Sequence, residues 1–172
     1  FPDSPFAKHF VKDFSVIEHD PEVNVVVETI GGVGAALDFT ERALKQGKSV
    51  VTSNKELVAT HGRRLLDLAA QNNAVYLFEA SVGGGIPILR PLSECMSANE
   101  ILEICGILNG TANYIFTRMV KDHVPFAEAL AGAQANGYAE QDPTADIEGH
   151  DACRKICILA ALAFGRQVYP DQ

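Results

Sequence analysis

VNVVVETIGGVGAALDFTERALKQGKSVVTSNK, residues Val23–Lys55, holds the alternation that decides the fold. The run Val23–Glu28 is almost continuously β-branched and is ended by glycines. Such a run marks a strand buried on both faces, the pattern of a parallel sheet. Helix signals follow from Ala35 to Lys45, with Gly47 placed as the stop. KSVVTSNKE then reads as a second short buried strand whose end delivers Ser53, Asn54 and Lys55. Working outward, HGRRLLDLAAQNN is a helical stretch closing on two asparagines, and NAVYLFEASV is a third strand. Residues 1–20 are weakly patterned, with a short strand expected around Phe14–Ile17. Strands alternating with helices predict an α/β layered fold with right-handed crossovers.

In such folds ligands sit beyond the carboxyl ends of the parallel strands. Lys55 lands there and is able to anchor a phosphate or carboxylate, although the same position suits a capping or surface lysine. Gly31–Gly34 (GGVG) also lands there, but lacks the G-x-G-x-x-G spacing of the dinucleotide fingerprint. Downstream, EASVGGGIPILRPL reads as a glycine loop feeding a helix whose first turn contains the proline after Ile86. Its N–H groups suit an anion, its carbonyls suit a hard cation, and a plain strand-to-helix corner needs glycine equally. EILEICGILNGTANYIFTRMV reads as a strand, a turn at Asn109-Gly110 and a helix, with Thr111 and Asn113 at the turn. PFAEALAGAQANG is an amphipathic helix stopping at Gly137.

The chemistry concentrates in GYAEQDPTADIEGHDACRK, Gly137–Lys155. It carries Glu140, Asp142, Asp146, Glu148 and Asp151. One helix is expected from about Asp146 to Phe164, apolar on nearly every face in its second half and therefore buried. Asp151 and Lys155 are four apart and share a face that continues to Leu159 and Leu162. Such a pair is ordinarily a solvated ion pair worth about 0.3–0.5 kcal/mol. Packed acids, however, raise one another's pKa and a desolvated lysine falls toward neutrality, which suits proton transfer to an oxygen or capture of an amino-acid ammonium. Calcium is disfavoured: counting from Asp142, the sixth position is Ile147 rather than Gly and the twelfth is Cys153 rather than Glu.

At 172 residues the chain is one large domain or two small ones, and 47% hydrophobic residues are ample for a core. A net charge of −8 argues against nucleic acid or an anionic membrane as partner. Cys95, Cys105, Cys153 and Cys157 form no C-x-x-C pair and read as reduced, mostly buried thiols of a cytosolic protein. The apolar run ICILAALAF is far short of a membrane span. The opening FPDSPFAKHF lacks the basic start and apolar middle of a leader, and having no Met it is expected to belong to something longer.

VVVETIGG, GKSVVTSNKELVATHG, FEASVGGGIPI, GILNGTANYIFTRM and GYAEQDPTADIEGHDACRKICILA together resemble the homoserine dehydrogenase family, in the family's order, over roughly residues 23–165. The resemblance implies NADPH- or NADH-dependent reduction of aspartate semialdehyde to homoserine, on the route to threonine and methionine. It implies an incomplete Rossmann-like nucleotide-binding part over residues 1–78. The rest, 79–172, becomes an incomplete α+β catalytic and dimerisation region. By motif, Lys155 becomes the proton donor, Asp151 its partner, and Lys55 a rival donor that also reaches the cofactor beside Gly31 and Ser53. Glu140, Asp146 and Thr111 complete the substrate pocket. The backbone carbonyls of Glu79, Val82, Gly84 and Ile86 become a site for sodium or potassium. A cytoplasmic homodimer is implied. The family's dinucleotide fingerprint is not found, so tight NADPH binding by these residues alone is not expected, and self-association is. Rival expectations are an amino-acid-binding regulatory module and another semialdehyde reductase; the paired lysines, the NGT turn and the DPTADIEG segment weigh against them.

Overall fold

The computed structural model describes residues 3–171. Three strands, β1 (Val25–Glu28), β2 (Ser49–Thr52) and β3 (Tyr76–Leu77), form one parallel sheet in the order β1-β2-β3. The register pairs Val25 with Ser49 and Glu28 with Thr52, then Val50 with Tyr76. The crossovers are α2 (Gly34–Lys45) and α3 (Lys55–Gln71). Both step in the same direction across the sheet, so right-handedness puts both helices on one face. Val26 and Val50 point into that packed face, whereas Val25 and Val27 are 55% and 67% exposed on the other. The expectation of a first strand buried on both faces is therefore corrected: β1 alternates, because among the described residues α2 and α3 cover only one side.

A further correction falls at Phe14–Ile17, which is helical, not extended: α1 spans Phe14–His19. Asp13 decides it, its carboxylate accepting the Ser15 N–H at 2.9 Å as an N-cap. The Phe14 ring stacks on Phe39 of α2, and Arg42, lying over both rings, donates to Glu18 at 2.9 Å. Lys48, buried just before β2, donates to the carbonyl of Val23 at 2.7 Å and so ties the entry of β1 to that of β2.

The third strand is much shorter than expected, since the chain turns at Glu79–Ser81 directly after Phe78. The Glu79 carboxylate then accepts the N–H groups of Ile88 at 2.7 Å, Leu89 at 3.0 Å and Arg90 at 2.7 Å. It thereby caps a short helical segment that widens over Pro91–Cys95, and the proline in its first turns is Pro91 rather than Pro87. Residues 101–108, expected as a strand, pair with no other strand among the described residues; Leu102 and Ile107 are exposed.

The second half of the chain adds α4 (Gly110–Lys121), α5 (Phe126–Ala135), α6 (Thr144–Ile147) and α7 (His150–Phe164). The expected single helix from Asp146 to Phe164 is thus two, broken at Gly149, whose φ of +81° is left-handed and open at low cost only to glycine. Nor is α7 buried all round: Cys157, Ile158 and Leu159 are buried while Ile156 and Phe164 are exposed. The main hydrophobic cluster joins the sheet, α2 and α3 to α7, and a smaller one built on Ile115, Ala129 and Ala133 joins α4 to α5. All four cysteines are free; Cys95 and Cys105 are exposed, against the expectation of mostly buried thiols. Among the described residues no helix is long and apolar enough to cross a membrane.

Candidate active site

The site is assembled at helix N-termini. At the end of β2, Asn54 caps α3: its Oδ1 accepts the Leu57 N–H at 3.0 Å while its Nδ2 donates to the Gly32 carbonyl at 2.6 Å. Thr52 supports that turn, its hydroxyl donating to Glu28 at 2.6 Å and accepting the Asn54 N–H at 2.9 Å. The other Glu28 oxygen accepts the Ile30 N–H at 2.6 Å. These bonds lock the carboxyl ends of β1 and β2 together and place Lys55 in the first turn of α3. From there Lys55 reaches Asp151 in the first turn of α7 and forms an ion pair.

Asp151 is 6% exposed and uses both oxygens. One meets Lys55; the other accepts from Lys155 Nζ at 2.6 Å and from Asn109 Nδ2 at 2.9 Å. Lys155 also donates to the Leu108 carbonyl at 2.7 Å. An ammonium has three donors, so Lys155 keeps one uncommitted among the described residues. Burial pushes the Asp151 carboxyl up, but the hydrogen bonds from Lys155, Lys55 and Asn109 outweigh it and hold the pKa at about 2. Crowded acids raising one another's pKa, expected from the sequence, is corrected here: two lysines and an amide reach this acid first.

Lys55, Asn109, Thr111, Tyr114, Asp146 and Lys155 line a cleft of about 610 Å³. Thr111 is spoken for, its hydroxyl donating to the Tyr138 carbonyl at 2.6 Å. Glu140 is exposed and lines an adjoining depression with Arg154, Asp146 and Lys55. Gly31 and Ser53 lie exposed at the ends of β1 and β2, and an added Cβ at Gly31 would meet nothing within 4 Å. The Glu79–Ile86 loop lines neither the cleft nor the depression; its Gly83 has a φ of +82°, and a Cβ there would stand 2.9 Å from the Ile86 carbonyl oxygen. The sequence places Asn54 and Asn109 at a strand end and a turn without giving either a role, and the Glu28–Thr52 pair is missed from it altogether. A cap signal, Asn three residues before a helical N–H, was available for both asparagines.

A parallel sheet whose strand ends face a lysine–carboxylate cleft defines the α/β nucleotide-binding class with a polar site appended. Comparison with known proteins narrows this. Residues 7–79 match the family profile described as homoserine dehydrogenase, NAD binding domain, and residues 87–172 match that described as homoserine dehydrogenase. The chain belongs to the homoserine dehydrogenase family. It is 50% identical over 155 residues to the homoserine dehydrogenase of Bacillus subtilis, covering 90% of this chain and 36% of that one. The crystal structure of a homoserine dehydrogenase from Thiobacillus denitrificans superimposes with a TM-score of 0.88 at 43% identity, over 93% of this chain and 37% of that one. A hyperthermophilic archaeal homoserine dehydrogenase in complex with NADPH gives a TM-score of 0.79 at 34% identity, over 84% of this chain and 44% of that one. The chain thus spans little more than a third of the curated relative's length.

Proposed function

We propose that the protein carrying this chain reduces L-aspartate 4-semialdehyde to L-homoserine with NADPH or NADH, in the cytoplasm and as a homodimer, on the route to threonine and methionine. The observation that carries this reading is Asp151 bridging Lys55 and Lys155 at the cleft, within a chain of this family. A bound nicotinamide supplies the hydride. The protein's own task is the proton: an alkoxide forming in the cleft needs a donor within hydrogen-bond reach. Lys155, with one donor uncommitted and its ammonium held by Asp151 and the Leu108 carbonyl, is the donor, and Lys55, on the other Asp151 oxygen, is the second ammonium at the cleft. Asp146 and Glu140 suit the substrate's ammonium, and Thr111 shapes the wall beside them. Residues 1–78 serve the cofactor through Gly31, Ser53 and Lys55, and residues 79–172 serve substrate and dimer. The carbonyls of Glu79, Val82, Gly84 and Ile86 are hard oxygen ligands suited to sodium or potassium.

The test follows NADPH consumption by the full-length protein with aspartate semialdehyde. Lys155→Ala is expected to lower turnover on the order of 10²–10⁴-fold, with the fold intact by circular dichroism. Near-normal turnover would move the role to Lys55, and absence of any aspartate semialdehyde-dependent oxidation in the unaltered protein would remove the reading altogether.

A further inference from the structure

An asparagine amide offers one acceptor oxygen and two N–H donors, and Asn109 commits all three. Its Oδ1 accepts the Ala112 N–H at 2.7 Å at the start of α4. Its Nδ2 donates to Asp146 Oδ1 at 2.7 Å and to Asp151 Oδ2 at 2.9 Å. The residue is 7% exposed and its bond to Asp151 is buried, so that bond has no water as a ready substitute. The cap also fixes which way the amide faces. Turning it over would aim Oδ1 at two carboxylates and the NH₂ at a backbone N–H, an arrangement without a single hydrogen bond. One rigid group on α4 therefore sets the orientation of an acid on α6 and an acid on α7.

We infer that Asn109 is a positioning residue for the proton-delivering pair, holding Asp151 turned so that its two oxygens meet Lys55 and Lys155 while Asp146 stays close. The inference rests on the proposed role of those lysines. Two carboxylates sharing one site repel, and ordinarily one of them takes up a proton. A donor placed between them offers each a hydrogen bond. The groups facing Asp151 are Lys55 from α3, Lys155 from its own helix, Asp146 from α6 and Asn109 itself, with Glu140, Asp142 and Arg154 further round the depression.

The capping and the positioning roles separate by substitution. Asn109→Asp keeps the cap, because aspartate is as good an N-cap as asparagine, but puts a third carboxylate where the donor was. Asn109→Ser keeps a cap oxygen and removes the NH₂ that reaches both carboxylates, leaving one O–H on a shorter side chain and adding no charge. In the full-length protein, both variants are expected to retain wild-type helix content. Asn109→Asp is expected to lose at least tenfold in kcat with a smaller change in KM, and to shift the acid limb of the pH–rate profile upward. Asn109→Ser should fall between it and wild type. A second readout needs no turnover: the Asp151 carboxyl, held low by Lys155, Lys55 and Asn109, should titrate higher by ¹³C NMR in both variants than in the unaltered protein. If Asn109 only caps α4, Asn109→Ser keeps the kcat, pH profile and Asp151 titration of wild type, and that outcome overturns the inference. An unaltered protein inactive toward aspartate semialdehyde would sink the proposed function instead, and the titration would still decide what Asn109 does.

Discussion

Replacing Asp151 by asparagine removes the one negative charge that two ammonium groups share, at nearly unchanged volume. The structure sets the size of the effect. The Asp151 pKa falls from an ordinary 3.8 to about 2, and each tenfold preference for the ionised form is worth about 1.4 kcal/mol, so the charge contributes about 2 kcal/mol to stability at neutral pH. The folded value lies below the unfolded one. The contribution is therefore present in full above about pH 4 and is lost as pH falls toward 2. Urea unfolding of wild type and Asp151→Asn at a series of pH values measures this directly. The variant should be about 2 kcal/mol less stable at pH 7, and the gap should close between about pH 4 and pH 2. Every other carboxylate titrates in both proteins and drops out of the difference. A gap that is absent at pH 7, or equally wide at both ends of the series, would refute the view that Lys55, Lys155 and Asn109 together outweigh the burial of this acid.

Asn54→Ala uncaps α3 and releases the Gly32 carbonyl; thermal unfolding should show a loss of roughly 1–2 kcal/mol, and Lys55 should lose its fixed direction, raising KM for cofactor and substrate together. Gly83→Ala meets both a left-handed backbone and the Ile86 carbonyl oxygen at 2.9 Å, so a destabilisation of about 1–3 kcal/mol is expected in the same assay. If the Glu79–Ile86 carbonyls hold a monovalent cation, turnover of the full-length protein should fall when sodium and potassium are replaced by a bulky organic cation, and Gly83→Ala should weaken that dependence; an unchanged rate would count against the site.

Local pattern carries the nucleotide-binding half. The Val25–Glu28 and Ser49–Thr52 strands and the Gly34–Lys45 helix are legible because apolar period, glycine stop and β-branching agree. Phe14–Ile17 is ambiguous in the same terms, since four mostly apolar residues fit either period; the Asp13 cap settles it. The Asp151–Lys155 pair is legible from helical spacing alone. Lys55 joining it is not: the two partners stand 96 residues apart, and only the crossover from β2 into α3 aims one at the other. Half of Asn109 is legible, its cap; the half that faces the carboxylates is tertiary and leaves no periodic trace.

Gly149 bears on how this site tolerates change. On an unbroken helix, Asp146 and Asp151 would point about 140° apart at 3.6 residues per turn, and no single amide would reach both. The left-handed residue between them swings the first acid back toward the second. The segment therefore works as a joint of fixed length. Gly149→Ala leaves Asp146 and Asp151 in place by name, yet puts a Cβ on a left-handed backbone and so strains the joint that brings the two acids together. Inserting or deleting one residue there would do the same, so this short connection admits less variation in length than its exposure alone would permit.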